Sequence, residues 1–205
     1  MVIEELAYMK DDNRFAFELH LVFEKGPFFE NFSVLAVPVH VWNAPHKSLR
    51  MLKTYAAIAR HLRRTHCQIL HSHLLDGIGP LIGKLAGART VSTVHNDVKY
   101  NWAERIVLGQ SDLALGCGQL VLRNIRQFIP LEKTATLNNA IRSPDKQDGK
   151  RSEVFARYGI TPGSRLILSL GRITRQKGFD VLIEAFRLMA ARLRLPGNDF
   201  FQIGP

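Results

Sequence analysis

Leu166-Ile-Leu-Ser-Leu-Gly171-Arg172-Ile173-Thr174-Arg175-Gln176-Lys177-Gly178-Phe179-Asp180, continuing as Val-Leu-Ile-Glu-Ala-Phe186, is an apolar run that ends at a glycine and resumes as an amphipathic helix. Arg172 follows the first glycine at once, Lys177 comes five residues later, and Gly178 opens the helix. Two cations and a helix N-terminus around one point suit a phosphate-bearing ligand. Gly171 is predicted at the carboxyl end of a strand, where open α/β sheets bind ligands, and glycine permits close backbone approach. Arg172 offers a planar fork to phosphate oxygens, and Lys177 adds a point charge. The helix predicts an inward stripe of Leu182, Ala185, Phe186, Met189 and Leu193. The plain alternative is a strand–turn–helix corner whose bases are simply solvated. With the chain ending at Pro205, the expectation is a ligand site begun but not completed.

Strands and helices alternate through the rest of the chain. Phe15–Phe23 and Val34–Trp42 read as strands, with the turn Gly26-Pro27 between them and Pro38 suited to a strand edge or start. Ile69–His73 is a short buried-type strand, Asp76–Ala86 a small-residue loop running into a helix, and Thr90–Val94 a β-branched strand. Trp102–Gly109 and Leu120–Phe128 read as helices, and Asp112–Leu115 and Thr134–Leu137 as strands. Strands separated by helices imply right-handed crossovers and a mostly parallel sheet. The class is α/β. Arg142–Arg151 has no hydrophobic residue and reads as an exposed linker. It separates a first domain, 1–141, from a partial second one, 152–205. The second begins with a helix at Ser152–Tyr158, the turn Thr161-Pro162-Gly163 and a strand at Arg165–Ser169, and ends in the strand-like Phe200–Ile203. A sheet of two parallel strands cannot cover its own faces.

The 205 residues are 46% hydrophobic with a net charge of +10. That content argues against wholesale disorder, and no apolar run approaches the ~20 residues of a membrane span. Acids in Met-Val-Ile-Glu-Glu-Leu argue against an export signal. Cys67 and Cys117 are too few and too isolated for a disulfide framework or a zinc site. Part of the positive charge is local. His46 to His66 holds Lys47, Arg50, Lys53, Arg60, Arg63 and Arg64 and no acid. Leu49, Leu52, Tyr55, Ala56, Ala59 and Leu62 recur there at helical spacing, predicting an amphipathic helix over 48–65 with a basic outer face. A solvated surface helix, a face for anionic lipid and a nucleic-acid patch all fit that pattern. Nucleic acid is the weakest of the three, because no zinc finger, RNP motif or interleaved aromatic pattern accompanies the bases.

The segment from Gly171 to Phe186 resembles the signature of retaining, GT-B-fold glycosyltransferases of the family 4 group (glycosyl transferases group 1). Further segments fall in that family's order. Ile69-Leu70-His71-Ser72-His73-Leu74 is similar to a "Val-Val-His-x-His" strand end. Val91-Ser92-Thr93-Val94-His95-Asn96 is similar to a "Val-x-Thr-x-His" strand and loop. Thr136-Leu137-Asn138-Asn139-Ala140-Ile141 is similar to a "Pro-Asn-Gly-Ile/Val-Asp" turn. The resemblance implies a Rossmann-type acceptor-side domain followed by the beginning of a nucleotide-sugar-binding one. It implies that Gly171, Arg172 and Lys177 meet the donor diphosphate and stabilise the leaving group without a metal or other cofactor. It implies a place for His95 at the reaction centre, and acceptor-side positions for His71, His73 and Asn96. His20, His40, His46, His61 and His66 match no motif.

The chain also departs from that pattern. A first strand with its glycine-rich loop, and a Glu-x7-Glu donor element, have no counterpart here. Asn139-Ala140 stands for Asn-Gly, and Arg142 for an aspartate. Gln202-Ile203-Gly204-Pro205 is a shortened "Val-Gly-x-Gly-Pro". The expectation is a chain truncated at both ends and inactive by itself. Its parent would be cytoplasmic, peripheral on the inner face of the membrane, and would move a hexose from a nucleoside-diphosphate sugar to a lipid-linked or polysaccharide acceptor. The alternatives are another GT-B enzyme, such as a sugar-nucleotide epimerase, and a basic nucleic-acid- or membrane-surface-binding module without catalysis.

Overall fold

Apolar runs separated by a dozen or more residues suit parallel pairing, because each parallel step needs a crossover. The computed structural model of the chain describes residues 2–26, 29–33, 35–45, 49–73, 78–139, 150–164 and 167–193. Every strand pairing among them is parallel. β1 (Leu19–Leu21) pairs with β2 (Val39–Val41) in a two-stranded sheet. β3 (Ile69–His73), β4 (Arg89–Val94), β5 (Leu113–Gly116) and β6 (Thr134–Thr136) form a second sheet in chain order. The α/β class is therefore as expected. The chain divides into two compact units, Met1–Pro144 and Asp145–Pro205.

In the first unit, α1 (Val2–Met9), α2 (Phe29–Ser33), α3 (Arg50–Arg64), α4 (Ile78–Ala86), α5 (Trp102–Leu108) and α6 (Gln119–Ile125) alternate with the strands. α5 starts at a capping box: the Asn101 side chain accepts from the Glu104 amide, and the Glu104 carboxylate accepts from the Asn101 amide. Two apolar clusters form the core. Val22, Ala44, Tyr55, Ile58, Ala59, Leu62, Ile82 and Ala86 gather between α3 and α4. Val94, Leu108, Ala114, Val121, Leu122, Ile125 and Ile129 gather around β5 and α6.

Polar groups buried in the sheet are hydrogen-bonded, several to one another or to the exposed Asp112 at its edge. The Thr90 amide and hydroxyl both donate to the Asp112 carboxylate, at 2.8 and 3.0 Å, and the Asp112 amide donates back to the Thr90 hydroxyl. These bonds hold the Asp112 carboxyl below its ordinary pKa, the backbone amide contributing most. Ser111 donates to Ser92 at 3.0 Å, the Ser92 and Ser72 hydroxyls meet at 3.2 Å, and Ser72 donates to the Val91 carbonyl.

Several elements differ from the sequence expectation. Only Leu19–Leu21 of the Phe15–Phe23 run is strand, and only Val39–Val41 of the second run. Pro38, with no amide to donate, sits just before β2, and its carbonyl accepts the Leu19 amide. α3 buries Tyr55, Ile58, Ala59 and Leu62, whereas the expected Leu49, Leu52 and Ala56 are exposed. The contact stripe follows the crossing of α3 with α4 and leaves the first turn of α3 outside it.

The second unit holds α7 (Arg151–Arg157), a 3-10 turn at Arg175–Lys177, and α8 (Phe179–Leu193). The strand expected at Arg165–Ser169 does not form over 167–170, where Ile167, Leu168 and Leu170 are exposed. Leu182, Ala185 and Met189 of the expected inward stripe are likewise exposed, and Phe186 is half-buried. Among the described residues, this unit has no sheet for that stripe to cover. The linker residues 142–149, Ala140, Leu166 and the strand-like Phe200–Ile203 lie outside the described residues.

A Cβ on Gly116 would meet the Leu122 backbone nitrogen at 2.8 Å, whereas one on Gly118 would meet nothing within 4 Å. Gly116→Ala is expected to lower the unfolding free energy by about 1–3 kcal/mol through overpacking against backbone. Gly118→Ala fills open space but replaces the N-cap residue of α6, so it should cost less, up to about 1 kcal/mol, and urea denaturation compares the two.

Candidate active site

Parallel pairing puts the carboxyl ends of β3, β4 and β5 on one edge of the larger sheet. Alternation along β3 places His71 and His73 on one face and Leu70 and Ser72 on the other. A Cβ on Gly83 of α4 would meet Thr90 and Leu70, so α4 covers the second face and the histidines lie on the opposite one. The register sets His73 beside Thr93, and the chain leaves β4 at His95.

This edge gathers three imidazoles. His73 Nδ1 and His95 Nε2 are 3.1 Å apart and share one hydrogen, with their rings stacked. The rings of His71 and His73 are 4.2 Å apart between centroids. His71 Nε2 meets the Thr93 hydroxyl at 2.7 Å. The Cys117 thiol donates to the His95 carbonyl and fixes the backbone where β4 ends. The turn beyond holds Asn96, which is exposed, and Asp97. The Asn124 amide of α6 donates to the Asp97 carboxylate at 2.7 Å and to the Val98 carbonyl at 2.8 Å, tying the loop to a helix.

Although His71 keeps part of its surface exposed, burial of ring atoms lowers all three histidines and favours their neutral forms. It pushes His73 down to about 4, with the neighbouring His71 and His95 adding to the effect. His71 and His95 are also lowered, chiefly by burial, against an opposing pull from Glu5 of α1. Neutral imidazoles can donate to and accept from hydroxyl groups without presenting charge. The cluster therefore suits a sugar or other polyhydroxyl ligand better than an isolated anion.

Gly171, Arg172 and Lys177 belong to the second unit. The stem of Lys177 folds back over Gly171, close enough that a Cβ there would lie 3.5 Å from Lys177 Cγ. Gly178 takes φ 62°, the left-handed conformation that ends the 3-10 turn and favours glycine. α8 starts immediately after it. Arg172 and Lys177 are both exposed. The structure thus groups His71, His73 and His95 in one unit, and Gly171 with Lys177 in the other.

Sequence reasoning missed Thr93 and Cys117, which anchor this histidine edge. It also left Glu18, His20, His40 and His61 without a role, although these four converge. The parity of His71, His73 and Thr93 could have flagged Thr93; Cys117, just beyond β5, had no such signal. The convergence depends on the register between β1 and β2, which no local pattern encodes.

His73 has a folded pKa of about 4 against an ordinary 6.5. As pH falls, the unfolded chain takes this proton first, so stability is lost between about 6.5 and 4 and not further below. NMR titration should show His73 neutral at pH 5.5. His73→Gln should make the fall of the urea midpoint across that window shallower than in the wild type.

Residues 12–143 match the family described as Glycosyltransferase Family 4. Among solved structures, a glycosyltransferase from Rickettsia africae ESF-5 is 18% identical, with a TM-score of 0.71 over 97% of this chain and 54% of its own. HepE from Anabaena in complex with UDP is 17% identical, with a TM-score of 0.68 over 90% of this chain and 53% of its own. HepE in complex with UDP and glucose is also 17% identical, with a TM-score of 0.70 over 91% of this chain and 53% of its own. This chain spans about half the length of these structures. No curated protein sequence matches it. The fold is that of GT-B glycosyltransferases, and the match over residues 12–143 settles the assignment: the chain belongs to Glycosyltransferase Family 4.

Proposed function

We infer that the protein takes part in transfer of a hexose from a nucleoside-diphosphate sugar to a lipid-linked or polysaccharide acceptor, with retention of configuration. The observation that carries this reading is the row of neutral, touching imidazoles at the strand ends of a family 4 domain. In this reading His95 contacts the donor sugar at the reaction centre, while His71, His73 and Asn96 meet the acceptor side. Arg172 and Lys177, beside Gly171, stabilise the charge that builds on the departing diphosphate, a role that needs no metal. The bond from the anomeric carbon to phosphate oxygen breaks as the acceptor oxygen bonds the same face. The acceptor's hydroxyl proton passes to the departing phosphate. That HepE holds UDP and glucose supports a donor of this class.

Thermal melting of the full chain tests the donor half of this proposal. UDP at 100 times its Kd is expected to add about 2.7 kcal/mol and raise Tm. Combining Arg172→Ala with Lys177→Ala should weaken UDP at least tenfold, since charge-assisted hydrogen bonds are worth about 1.5–3 kcal/mol each. A Tm indifferent to UDP, GDP and ADP alike contradicts the reading.

A membrane-surface role has its own support. Among the described residues no helix is long and apolar enough to cross a membrane. α3, however, carries Lys53, Arg60, Arg63 and Arg64 on its exposed side, with Leu49 85% and Leu52 61% exposed beside them. Bases near an anionic surface are worth about 1 kcal/mol each, and exposed leucines can enter the headgroup region. The chain is expected to float with phosphatidylglycerol vesicles at low salt and to be released by high salt. Lys53→Glu with Arg63→Glu should abolish flotation, and flotation with phosphatidylcholine alone would contradict the proposal.

A further inference from the structure

Glu18, His20, His40 and His61 are spread over more than forty residues of sequence, yet their ligand atoms all lie within 4.8 Å of one another. The fold explains how. β1 and β2 pair in parallel with His20 opposite His40, and their rings stack with centroids 4.8 Å apart. The last turn of α3 delivers His61, whose ring lies 4.6 Å from that of His40. All three Nε2 atoms face one carboxylate oxygen. Glu18 Oε2 is 3.0 Å from His61, 3.3 Å from His20 and 3.6 Å from His40.

Those separations fit a coordination polyhedron. Zinc bonds imidazole nitrogen and carboxylate oxygen at about 2.0–2.2 Å, so neighbouring ligands of a tetrahedral ion sit about 3.3–3.5 Å apart. The distances from Glu18 to His61 and to His40, 3.0 and 3.6 Å, bracket that edge. Imidazole with carboxylate is a donor set for zinc and neighbouring first-row metals, not for calcium or magnesium.

One hydrogen bond sorts the roles of the four residues. The Trp42 indole N–H, which can only donate, points at His20 Nδ1 from 3.0 Å. His20 Nδ1 is therefore an acceptor, and the neutral ring carries its hydrogen on Nε2, facing the Glu18 carboxylate. Such a nitrogen donates to the carboxylate and has no lone pair for a metal. Among the described residues no donor constrains the rings of His40 and His61 in this way. Cys67 is not part of the set, because its thiol is turned to the Ile69 carbonyl.

We propose that Glu18, His40 and His61 bind one divalent transition-metal ion of the zinc class, with His20 as a positioning residue that holds the Glu18 carboxylate through its Nε2–H. The ion pins the two-stranded β1–β2 sheet to α3. Two paired strands are marginally stable alone, so a cross-link from both to the neighbouring helix is a stabilising one. This site lies on the smaller sheet and does not depend on the sugar-transfer reading.

The test uses the untagged, chelator-stripped full chain titrated with zinc chloride against a chromophoric chelator, with Tm and a cobalt(II) visible spectrum as second readouts. One equivalent should bind and raise Tm, and cobalt should give d–d bands. His40→Ala, His61→Ala and Glu18→Gln should each weaken zinc by at least about 100-fold. His20→Gln, which keeps an amide donor, should lose less than about tenfold, and His20→Ala about 10–100-fold, as outer partners do. His66→Ala, at an exposed histidine outside the cluster, should change nothing. Circular dichroism identifies any variant that is unfolded, and the half-exposed Glu18→Gln then decides the matter. Absence of stoichiometric binding, or binding that survives Glu18→Gln and His61→Ala, overturns the site. A loss in His20→Gln as large as in His61→Ala overturns the role given to His20.

Discussion

Parallel pairing is the constraint on which the rest of the first unit depends. It forces the chain to return to the same edge before each new strand, and helices are the economical way back. The carboxyl ends of β3, β4 and β5 consequently share one rim, and the residues at or just beyond them become neighbours. His73, His95 and Cys117 are far apart in sequence and adjacent in space for that reason. The same constraint on the smaller sheet brings His20 beside His40. Two histidine clusters thus follow from one topological rule applied twice.

Their electrostatics differ. Among the described residues no carboxylate is hydrogen-bonded to the His71–His73–His95 row, and desolvation is the largest influence, so all three are lowered toward the neutral form. The second cluster has Glu18 at its centre, and the His61 hydrogen bond lowers its carboxyl's pKa. His20 is nevertheless lowered, because burial and the nearby His40 outweigh the pull of Glu18. An uncharged row suits hydroxyl-bearing ligands, whereas a convergent carboxylate with imidazoles suits a cation. Chemistry at the two places is set by what surrounds the ring, not by the ring itself.

Most of the α/β order was legible in the sequence, and the reasons are particular. Ile69–His73 and Thr90–Val94 are apolar or β-branched runs between turn signals, and both are strands within a residue of the expected ends. His71, His73 and His95 were singled out by resemblance to family motifs, and the fold brings the three rings together. What failed was whatever depended on partners. Phe15 and Phe17 alternate like a strand but lie outside β1. Ile167–Leu170 looks like a strand, yet among the described residues nothing pairs with it. The inward stripe of α3 shifted toward Ile58 because α4, not helical periodicity alone, chooses the buried face. The Glu18 cluster was illegible, since pairing register between distant parallel strands leaves no local trace.

The hydroxyl chain of Ser111, Ser92 and Ser72 has a consequence for how the larger sheet finds its alignment. Ser72 donates to a carbonyl, so it receives from Ser92, which receives from Ser111, and the hydrogens all point one way. Sliding β4 by a single position would put Val91 or Thr93, according to direction, in the place of Ser92 and break the contacts it makes with Ser72 and Ser111. Modest polar side chains inside the sheet therefore act as a key that admits one alignment. Without it, apolar strands of similar shape would have several ways to stack.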